Sequence, residues 1–337
     1  MKPKVEAQTR LDKQEMKEML AEMWRIRLFE EKIVELAKDG HIYGTYHLST
    51  GEEATAVGAT MALKKSDLMT STHRNHGHCL AKGTDMYRMF AEIMGKKTGI
   101  NKGKGGSMHI TDTNVGNLGS NGIVAAGFPI AAGAALAAQM NETKEVVLCF
   151  AGDGSVNEGA FHETLNLASI WKLPVVFFIE NNQYGMSSAV DKMVNIEHLS
   201  ERASAYNIPG MTIDGNDVEL VYETTKDAVD FARCGNGPTL IEAMTYRHAG
   251  HSKSDKFLYR TREEENEWKT KNDPILRFET KMIQQSAFTQ DEILEIYQEV
   301  KEEVIKASEK AKSDDLASPA DLLEDVYYGK IGEMFRA

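Results

Sequence analysis

The sequence has 337 residues, of which 42% are hydrophobic and 27% are charged, and this composition excludes the intrinsically disordered class. A formal net charge of −12 opposes nucleic-acid binding as the main function, and no apolar run approaches the roughly 18 residues that a membrane helix requires. Three widely separated cysteines without a CxxC pair, and residues 1–10 without the apolar core of a signal peptide, predict a reduced, cytoplasmic protein with neither a disulfide framework nor a zinc ribbon.

Helical periodicity dominates the first part of the chain. Apolar residues recur at three- and four-residue spacing over 12–38, which predicts a packed helix that ends before Gly40. From about 85 to 180 the pattern changes to short apolar runs separated by helical stretches and glycine-rich turns. That alternation predicts βαβ units, and hence an α/β fold with a mainly parallel sheet flanked by helices.

The clearest βαβ unit spans residues 145–182. Continuous apolar runs at 146–150 and 175–179 predict two strands buried on both faces, with a helix between them. The same reasoning predicts a further unit made of strands at 211–213 and 239–246 and a helix at 218–233.

The last third of the sequence is mostly polar. Residues 248–262 are predicted to form a loop, and Thr289 with Glu292 forms a capping box ahead of a long charged amphipathic helix that reaches about residue 312. This helix presents a solvated face in the simplest interpretation. We predict one compact unit with an N-terminal helical extension at 1–45, a cofactor-binding domain at 46–275 and a C-terminal helical region at 276–337.

Two polar motifs follow the two predicted strands of the clearest unit. Gly152-Asp153-Gly154 ends the first strand, and Asn182 follows the second. A right-handed crossover brings both to the carboxyl edge of the sheet, where open α/β sheets bind ligands. Oxygen ligands of this kind suit Mg²⁺, and the glycines together with the following helix would let a diphosphate approach main-chain N–H groups. The alternative for each motif alone is an ordinary turn.

Together with other blocks, these motifs resemble the α subunits of thiamine diphosphate-dependent E1 dehydrogenases, the family of acetoin dehydrogenase and pyruvate dehydrogenase E1 α chains. The resemblance extends over roughly 25–273. Besides the pair of strand-end motifs, which is similar to the thiamine diphosphate fingerprint, its blocks are HLSTGEEA at 47–54, THRNHGH at 72–78, KGKGGSMH at 102–109, NGIV at 121–124 and YRHAGHS at 246–252.

The resemblance implies the thiamine diphosphate-binding fold, with accessory helices at both ends, and a metal and diphosphate site. Asp153, the Asn182 side chain and the Tyr184 main-chain carbonyl would bind Mg²⁺. Gly154 and Ser155 would contact the diphosphate.

It also implies contacts along the rest of the cofactor. Arg74 would hold the diphosphate through two hydrogen bonds, and Gly122 and Val124 would contact the aminopyrimidine through main-chain atoms. His47 and His251 would be catalytic, facing the reacting end of the cofactor or its phosphates, where an imidazole can move protons near neutral pH.

Other motifs have competing interpretations. A zinc site at His73, His76 and His78 is disfavoured by their mixed spacing, and solvated loop histidines are preferred. Residues 102–106 imitate a phosphate loop but lack the Walker spacing, which leaves a flexible turn. Small residues at 125–138 predict close helix packing near the cofactor. A Rossmann motif is not expected, because the glycine spacing at 116–122 is wrong for it.

The resemblance further implies the reaction and its partners. A thiazolium-based carbanion cleaves a carbon–carbon bond, and the two-carbon unit passes to a lipoyl group on a separate E2 acyltransferase. Only the diphosphate half of the cofactor site is evident, so a β subunit would supply the pyrimidine half in an α2β2 assembly. The 72–78 block resembles acetoin dehydrogenase chains, while the 246–255 block is similar to pyruvate dehydrogenase chains.

We therefore expect acetoin as the substrate, with pyruvate second and branched-chain 2-oxo acids third. A noncatalytic cofactor-binding regulatory subunit is the alternative from another functional class. Ser252 follows His251 and occupies the position that is phosphorylated in regulated pyruvate dehydrogenase chains, so a phosphate there would disorder the loop.

Overall fold

A computed structural model describes residues 11–325 of the chain, and it is an α/β structure built on one main parallel sheet. The outermost parts of the predicted terminal regions, 1–10 and 326–337, lie outside the described residues. The strands are β1 Leu68–Thr72, β2 Asn117–Asn121, β3 Val147–Gly152, β4 Val175–Asn181, β5 Tyr184–Gly185, β6 Ser188–Ala189, β7 Gly210–Asp214 and β8 Thr239–Met244.

The α-helices of the described residues surround this sheet. They are α1 Lys13–Lys38, α2 Glu53–Met61, α3 His76–Ala81, α4 Met86–Ile93, α5 Gly127–Met140, α6 Gly159–Trp171, α7 Val190–Met193, α8 Val218–Arg233, α9 Arg262–Lys271, α10 Pro274–Gln284 and α11 Gln290–Lys312. Shorter 3-10 turns lie at Gly106–Met108, Thr113–Val115, Asp153–Asn157, Leu199–Tyr206 and Pro319–Leu323.

The main sheet has the strand order β2-β1-β3-β4-β8-β7, and every neighbouring pair is parallel. Side chains alternate between its two faces, so that Val147, Cys149 and Phe177 pack under α5 and α6, while Leu148 and Phe178 pack with α8 on the other side. Burial on both faces explains why the two central strands are continuously apolar. The strands β5 and β6 form a separate antiparallel hairpin.

Most of the predicted elements are present. The helix predicted at 12–38 is α1 with Asp12 as its N-cap, and the capping box of Thr289 and Glu292 opens α11. The predicted strands at 146–150, 175–179, 211–213 and 239–246 correspond to β3, β4, β7 and β8, and the predicted helix at 218–233 is α8. No helix or strand lies between residues 248 and 261, as the predicted loop requires.

The sequence patterns missed β1 and β2. Their residues, Leu-Met-Thr-Ser-Thr and Asn-Leu-Gly-Ser-Asn, contain no continuous apolar run that would mark a strand. β2 is an edge strand and β1 lies next to it, so neither needs the apolar character of the central strands.

The helices at the two ends of the described chain pack together. α1 lies against α11, and α4 lies against α11 as well, so that apolar residues of all three helices share one core cluster. Met23 and Phe29 of α1 and Val300 of α11 belong to it. The charged α11 therefore has a buried apolar stripe beside its solvated face, as predicted for an amphipathic helix.

The division into 1–45, 46–275 and 276–337 stays a prediction. None of the three cysteines forms a disulfide, as predicted.

Candidate active site at the carboxyl edge of the sheet

The two strand-end motifs meet at one cavity. β3 and β4 are neighbours, with Gly152 opposite Glu180, so Asp153 and Asn182 both emerge at the carboxyl edge of the sheet. The cavity beside them has a volume of about 490 Å³. Its lining includes every residue that the sequence predicted for the site: His47, Arg74, Gly122, Val124, Asp153, Gly154, Ser155, Asn182, Tyr184 and His251.

Two buried oxygen atoms of the strand-end motifs lack hydrogen-bond partners among the described residues. They are Oδ2 of Asp153 and Oδ1 of Asn182, on side chains that are only 5% and 7% exposed. The other carboxylate oxygen of Asp153 accepts a hydrogen bond from the Gly154 N–H at 2.6 Å. Burial raises the pKa of Asp153 to about 6, against the opposing effect of that N–H group. A buried acceptor without a partner costs about 1–3 kcal/mol, and a bound cation would remove that cost.

The main chain around Asp153 forms a tight turn before the next helix begins. Asp153–Asn157 is a 3-10 turn, in which the Ser155 hydroxyl donates to the Gly152 carbonyl at 2.6 Å, and α6 starts only at Gly159. The element that directly follows β3 is therefore this 3-10 turn, and α6 comes after it. The expectation that main-chain N–H groups here bind a diphosphate stays a prediction.

Arg74 is buried and ties two loops together. Its guanidinium donates to the Leu48 carbonyl at 2.6 Å and to the His251 carbonyl at 3.1 Å, while its Nε lies 3.7 Å from a carboxylate oxygen of Glu52. Burial lowers the pKa of Arg74 to about 10. A guanidinium carries five N–H donors, so these contacts leave donors that can still hold an anionic ligand.

Three histidines from three different segments gather at the cavity. The ring centroids of His47, His73 and His251 lie 4.8, 5.0 and 5.5 Å apart in pairs. Burial, together with the Arg74 charge, lowers the pKa of His47 and His73 to about 3 and that of His251 to about 4. All three imidazoles are therefore neutral at pH 7.

The same three rings have metal-ligand spacing, because their nearest nitrogen atoms lie within 4.8 Å of one another. The positive charges of Arg74 and Arg247 lower the pKa of these imidazoles, and they would also repel a metal cation bound between the rings. A metal ion is therefore disfavoured here. The Nδ1 atoms of His47 and His251 are buried and have no hydrogen-bond partner among residues 11–325. The cluster is thus neutral, and the charges that disfavour a metal ion also make its protonated imidazoles strong proton donors.

The preferred interpretation of His76 and His78 as solvated loop residues was wrong. Both lie in α3 and are almost fully buried, at 0% and 2% exposure. His76 bonds to Glu30 through one nitrogen and to Ser107 through the other, at 2.9 Å each. His78 is held in the same way, between the Ser71 hydroxyl and the Glu180 carboxylate. Only His73 of the three lines the cavity.

The glycine-rich loop at 102–106 is neither a phosphate loop nor an unattached turn. The buried Glu92 carboxylate accepts hydrogen bonds from the N–H groups of Asn101, Gly103, Gly105 and Gly106, at 2.7–3.1 Å. The anion that this loop surrounds is therefore a side chain of the protein itself. A single glutamate on α4 gives no sign of this in the sequence, because its partners follow 9 to 14 residues later.

Sequence reasoning missed four charged residues that line the cavity, namely Glu52, Glu158, Glu180 and Arg247. Glu52 and its neighbour Glu53 are buried, at 2% and 0% exposure. The HLSTGEEA block was the available signal, but it assigned no role to Glu52.

Exposed apolar residues also line the cavity. Val124 is 48% exposed and Ile123, beside it, is 72% exposed, both just beyond β2.

In the described part of the chain, no helix is long and apolar enough to cross a membrane.

Comparison with known proteins gives consistent matches over most of the chain. The family model described as "Dehydrogenase E1 component" matches residues 21–320. The α subunit of acetoin:2,6-dichlorophenolindophenol oxidoreductase from Bacillus subtilis is 46% identical over 309 residues, which cover 92% of each protein. Its counterpart from Cupriavidus necator is 42% identical over 94% of this chain and 95% of that protein. The pyruvate dehydrogenase E1 component subunit α of Rhizobium meliloti is 37% identical over 90% of this chain and 88% of its own length.

Proposed function

The chain belongs to the dehydrogenase E1 component family, and on that premise we propose that it is the α subunit of a thiamine diphosphate-dependent oxidoreductase that cleaves acetoin. The observation that carries this proposal is the pair of unpartnered buried oxygens, on Asp153 and Asn182, at the joined ends of β3 and β4. Such a pair fits a divalent cation that holds a diphosphate.

The chain's own residues fit thiamine diphosphate and Mg²⁺. Asp153, Asn182 and the Tyr184 carbonyl supply only oxygen ligands, which Mg²⁺ prefers. The Tyr184 carbonyl already accepts a long hydrogen bond of 3.4 Å from Arg247, and a carbonyl has a second lone pair for a metal. When bound, thiamine diphosphate supplies a nucleophilic carbon and an electron sink for the cleavage of a carbon–carbon bond.

The anionic part of the cofactor has matching donors. Gly154 has no side chain, so its main chain would be accessible to a diphosphate in the cavity that it lines. Ser155 and Arg74 add polar groups around the same space. On the far side, Gly122 and Val124 would contact the aminopyrimidine through their main-chain atoms.

His47 and His251 would handle protons for the reaction. Both carry a buried Nδ1 without a partner among the described residues, and this atom would take up a proton from a substrate hydroxyl during the reaction. The nearby Arg74 charge then favours return of that proton, because it opposes a charged imidazole.

The assignment of acetoin rests on the relatives. The two acetoin oxidoreductase α subunits are 46% and 42% identical, against 37% for the pyruvate dehydrogenase chain of Rhizobium meliloti. A neutral imidazole at His73 is also compatible with an uncharged hydroxyketone. Pyruvate is the second candidate, supported by the relatives of that name, and branched-chain 2-oxo acids are the third.

The same proposal includes partner subunits. The three relatives described above are named as α subunits, and the cavity of the described residues would hold one half of the cofactor. A β subunit would complete the site in an α2β2 assembly and cover an apolar surface, and a lipoyl-bearing E2 acyltransferase would take the product. We propose that the β subunit covers exposed apolar residues that follow β2 or lie on α5 and α6. They are Ile123, Val124, Ile130, Met140, Leu167, Ile170 and Trp171.

The test is reconstitution. We expect the purified chain alone to have negligible turnover with acetoin, and addition of the β subunit to restore cleavage, measured as reduction of 2,6-dichlorophenolindophenol. Robust activity of the isolated chain, with β subunit excluded by mass spectrometry, would contradict the two-subunit proposal. Cofactor binding without any turnover after β addition would instead favour a noncatalytic regulatory subunit.

A further inference from the structure

Glu52 is a buried carboxylate beside the metal site, and the proposed chemistry gives it no task. It stands at the N-terminus of α2, is 2% exposed and lines the cavity. One of its oxygens accepts a hydrogen bond from the Asn182 amide nitrogen at 2.7 Å. Its other oxygen has no hydrogen-bond partner in the described part of the chain and lies 3.7 Å from Nε of Arg74.

The hydrogen bond from Asn182 to Glu52 fixes the direction of the amide. An amide has a donor end and an acceptor end, and the donor end of Asn182 is the one that Glu52 engages. A flip would break this hydrogen bond and place the amide oxygen of Asn182 beside an oxygen of Glu52. The orientation in the structure therefore leaves Oδ1 of Asn182 free, buried and without a partner.

Glu52 itself is held firmly. Its carbonyl accepts from the Thr55 hydroxyl at 2.7 Å and from the Ala56 N–H at 3.3 Å, within the first turn of α2. The same Thr55 hydroxyl reaches Glu180 on β4, so the helix start is joined to the strand that precedes Asn182. A carboxylate fixed to a rigid element can set the orientation of a flexible amide.

We propose that Glu52 is a positioning residue that turns the Asn182 amide so that its oxygen, and not its nitrogen, is available to a divalent cation. This inference rests on the proposed function, because it assumes that Asn182 is a metal ligand. Outer-shell residues of this kind orient ligands in metal sites, and their substitution typically costs about 10- to 100-fold in metal affinity.

The chain offers a matched control in the next residue. Glu53 is equally buried, at 0% exposure, and stands on the same helix turn. Its carboxylate bonds to Arg27 on α1 and to the Gly51 N–H, and it does not line the cavity. A general loss of folding should follow from substitution at either position, whereas a loss of metal affinity should follow only from substitution of Glu52.

The experiment measures thiamine diphosphate binding to the assembled α and β subunits by calorimetry as Mg²⁺ is titrated. We expect Glu52→Met to raise the half-saturating Mg²⁺ concentration about 10- to 100-fold. Glu52→Gln, which keeps an acceptor oxygen, should remain within about threefold of the wild type, and Glu53→Gln should lower Tm without moving the Mg²⁺ midpoint. On an Asn182→Ala background, Glu52→Met should add less than about twofold, because its target is gone.

Glu52→Asp gives a second test that does not depend on the folding of the methionine variant. It keeps the charge but is one methylene too short to reach the amide, so we expect a loss of at least about tenfold. Charge alone predicts the reverse, with aspartate tolerated and glutamine impaired, and that result would overturn the inference. Full additivity of Glu52→Met with Asn182→Ala would overturn it as well.

Failure of the proposed function is distinguishable from failure of this inference. If wild-type binding is independent of Mg²⁺, or if Asp153→Ala and Asn182→Ala leave it unchanged, the metal site itself is wrong. If both ligand variants lose binding while Glu52→Met and Glu52→Asp match the wild type, only the positioning role of Glu52 falls.

Discussion

Replacing Asp153 by asparagine should strengthen the fold of the cofactor-free chain and, at the same time, abolish metal-dependent cofactor binding. Burial raises the pKa of Asp153 from its ordinary value of 3.8 to about 6. One pKa unit corresponds to about 1.36 kcal/mol, so the ionised carboxylate destabilises the folded state by about 3 kcal/mol. Asparagine has the same shape without the charge, and its amide oxygen can still accept from the Gly154 N–H.

The sign of the effect depends on pH. The folded pKa is raised, so the carboxyl is protonated in both states below pH 3.8 and has no effect there. The destabilisation grows between pH 3.8 and about 6 and is complete above pH 6. In the absence of metal and cofactor, Asp153→Asn should therefore raise Tm by a few degrees at pH 7.5 and leave it unchanged near pH 3.5.

Asp67 is the matched control for this experiment. Asp67 is also buried, and burial by itself raises its pKa. Hydrogen bonds from Arg233 and the Val146 N–H outweigh that effect and hold the pKa of Asp67 below its ordinary value. Asp67→Asn should therefore lower Tm at pH 7.5. Differential scanning fluorimetry in EDTA measures both variants, and calorimetry with thiamine diphosphate and Mg²⁺ should show a loss of more than about 100-fold for Asp153→Asn only. A lower Tm for Asp153→Asn, or retained cofactor affinity, would refute the reasoning.

Three further outcomes follow from contacts at and around the cavity. Arg74→Ala should weaken cofactor affinity by about 1.5–3 kcal/mol in calorimetry, the range for hydrogen bonds to charged groups, and an effect on Tm alone would make Arg74 purely structural. Ser252→Glu should abolish activity of the assembled enzyme, because the new charge would lie near Asp255, which accepts a hydrogen bond from the His251 N–H at 2.7 Å. Ser254 is exposed, so Ser254→Glu should be tolerated. Full activity of Ser252→Glu would show that the loop assignment is wrong. Glu92→Ala should lower the free energy of unfolding by at least about 3 kcal/mol in urea titration, because the four N–H groups around it lose their acceptor; a change below 1 kcal/mol would contradict that role.

Much of the central fold could be predicted because it depends on local patterns. Continuous apolar runs marked β3 and β4, and the capping box marked the start of α11. The strand ends then brought Asp153 and Asn182 to one edge by topology alone. Periodicity could not find β1 and β2, since both are polar.

The buried polar residues could not be predicted, because their partners come from distant parts of the chain. Buried His76 forms a hydrogen bond with Glu30, 46 residues away, and buried His78 forms one with Glu180, 102 residues away. Glu52 meets Asn182 across 130 residues. In each case the residue type suggested solvent exposure, and only the folded arrangement supplied the hydrogen bonds that permit burial.

The most direct test of the account compares acetoin and pyruvate as substrates of the reconstituted enzyme. The purified chain is combined with its β subunit, thiamine diphosphate and Mg²⁺, and initial rates of dye reduction give kcat/KM for each substrate. We expect a higher kcat/KM for acetoin, and loss of turnover with both substrates in the Asp153→Asn variant. A strong preference for pyruvate would show that the relatives and the 72–78 block misled the substrate assignment, and turnover that survives Asp153→Asn would contradict the proposed metal and cofactor site.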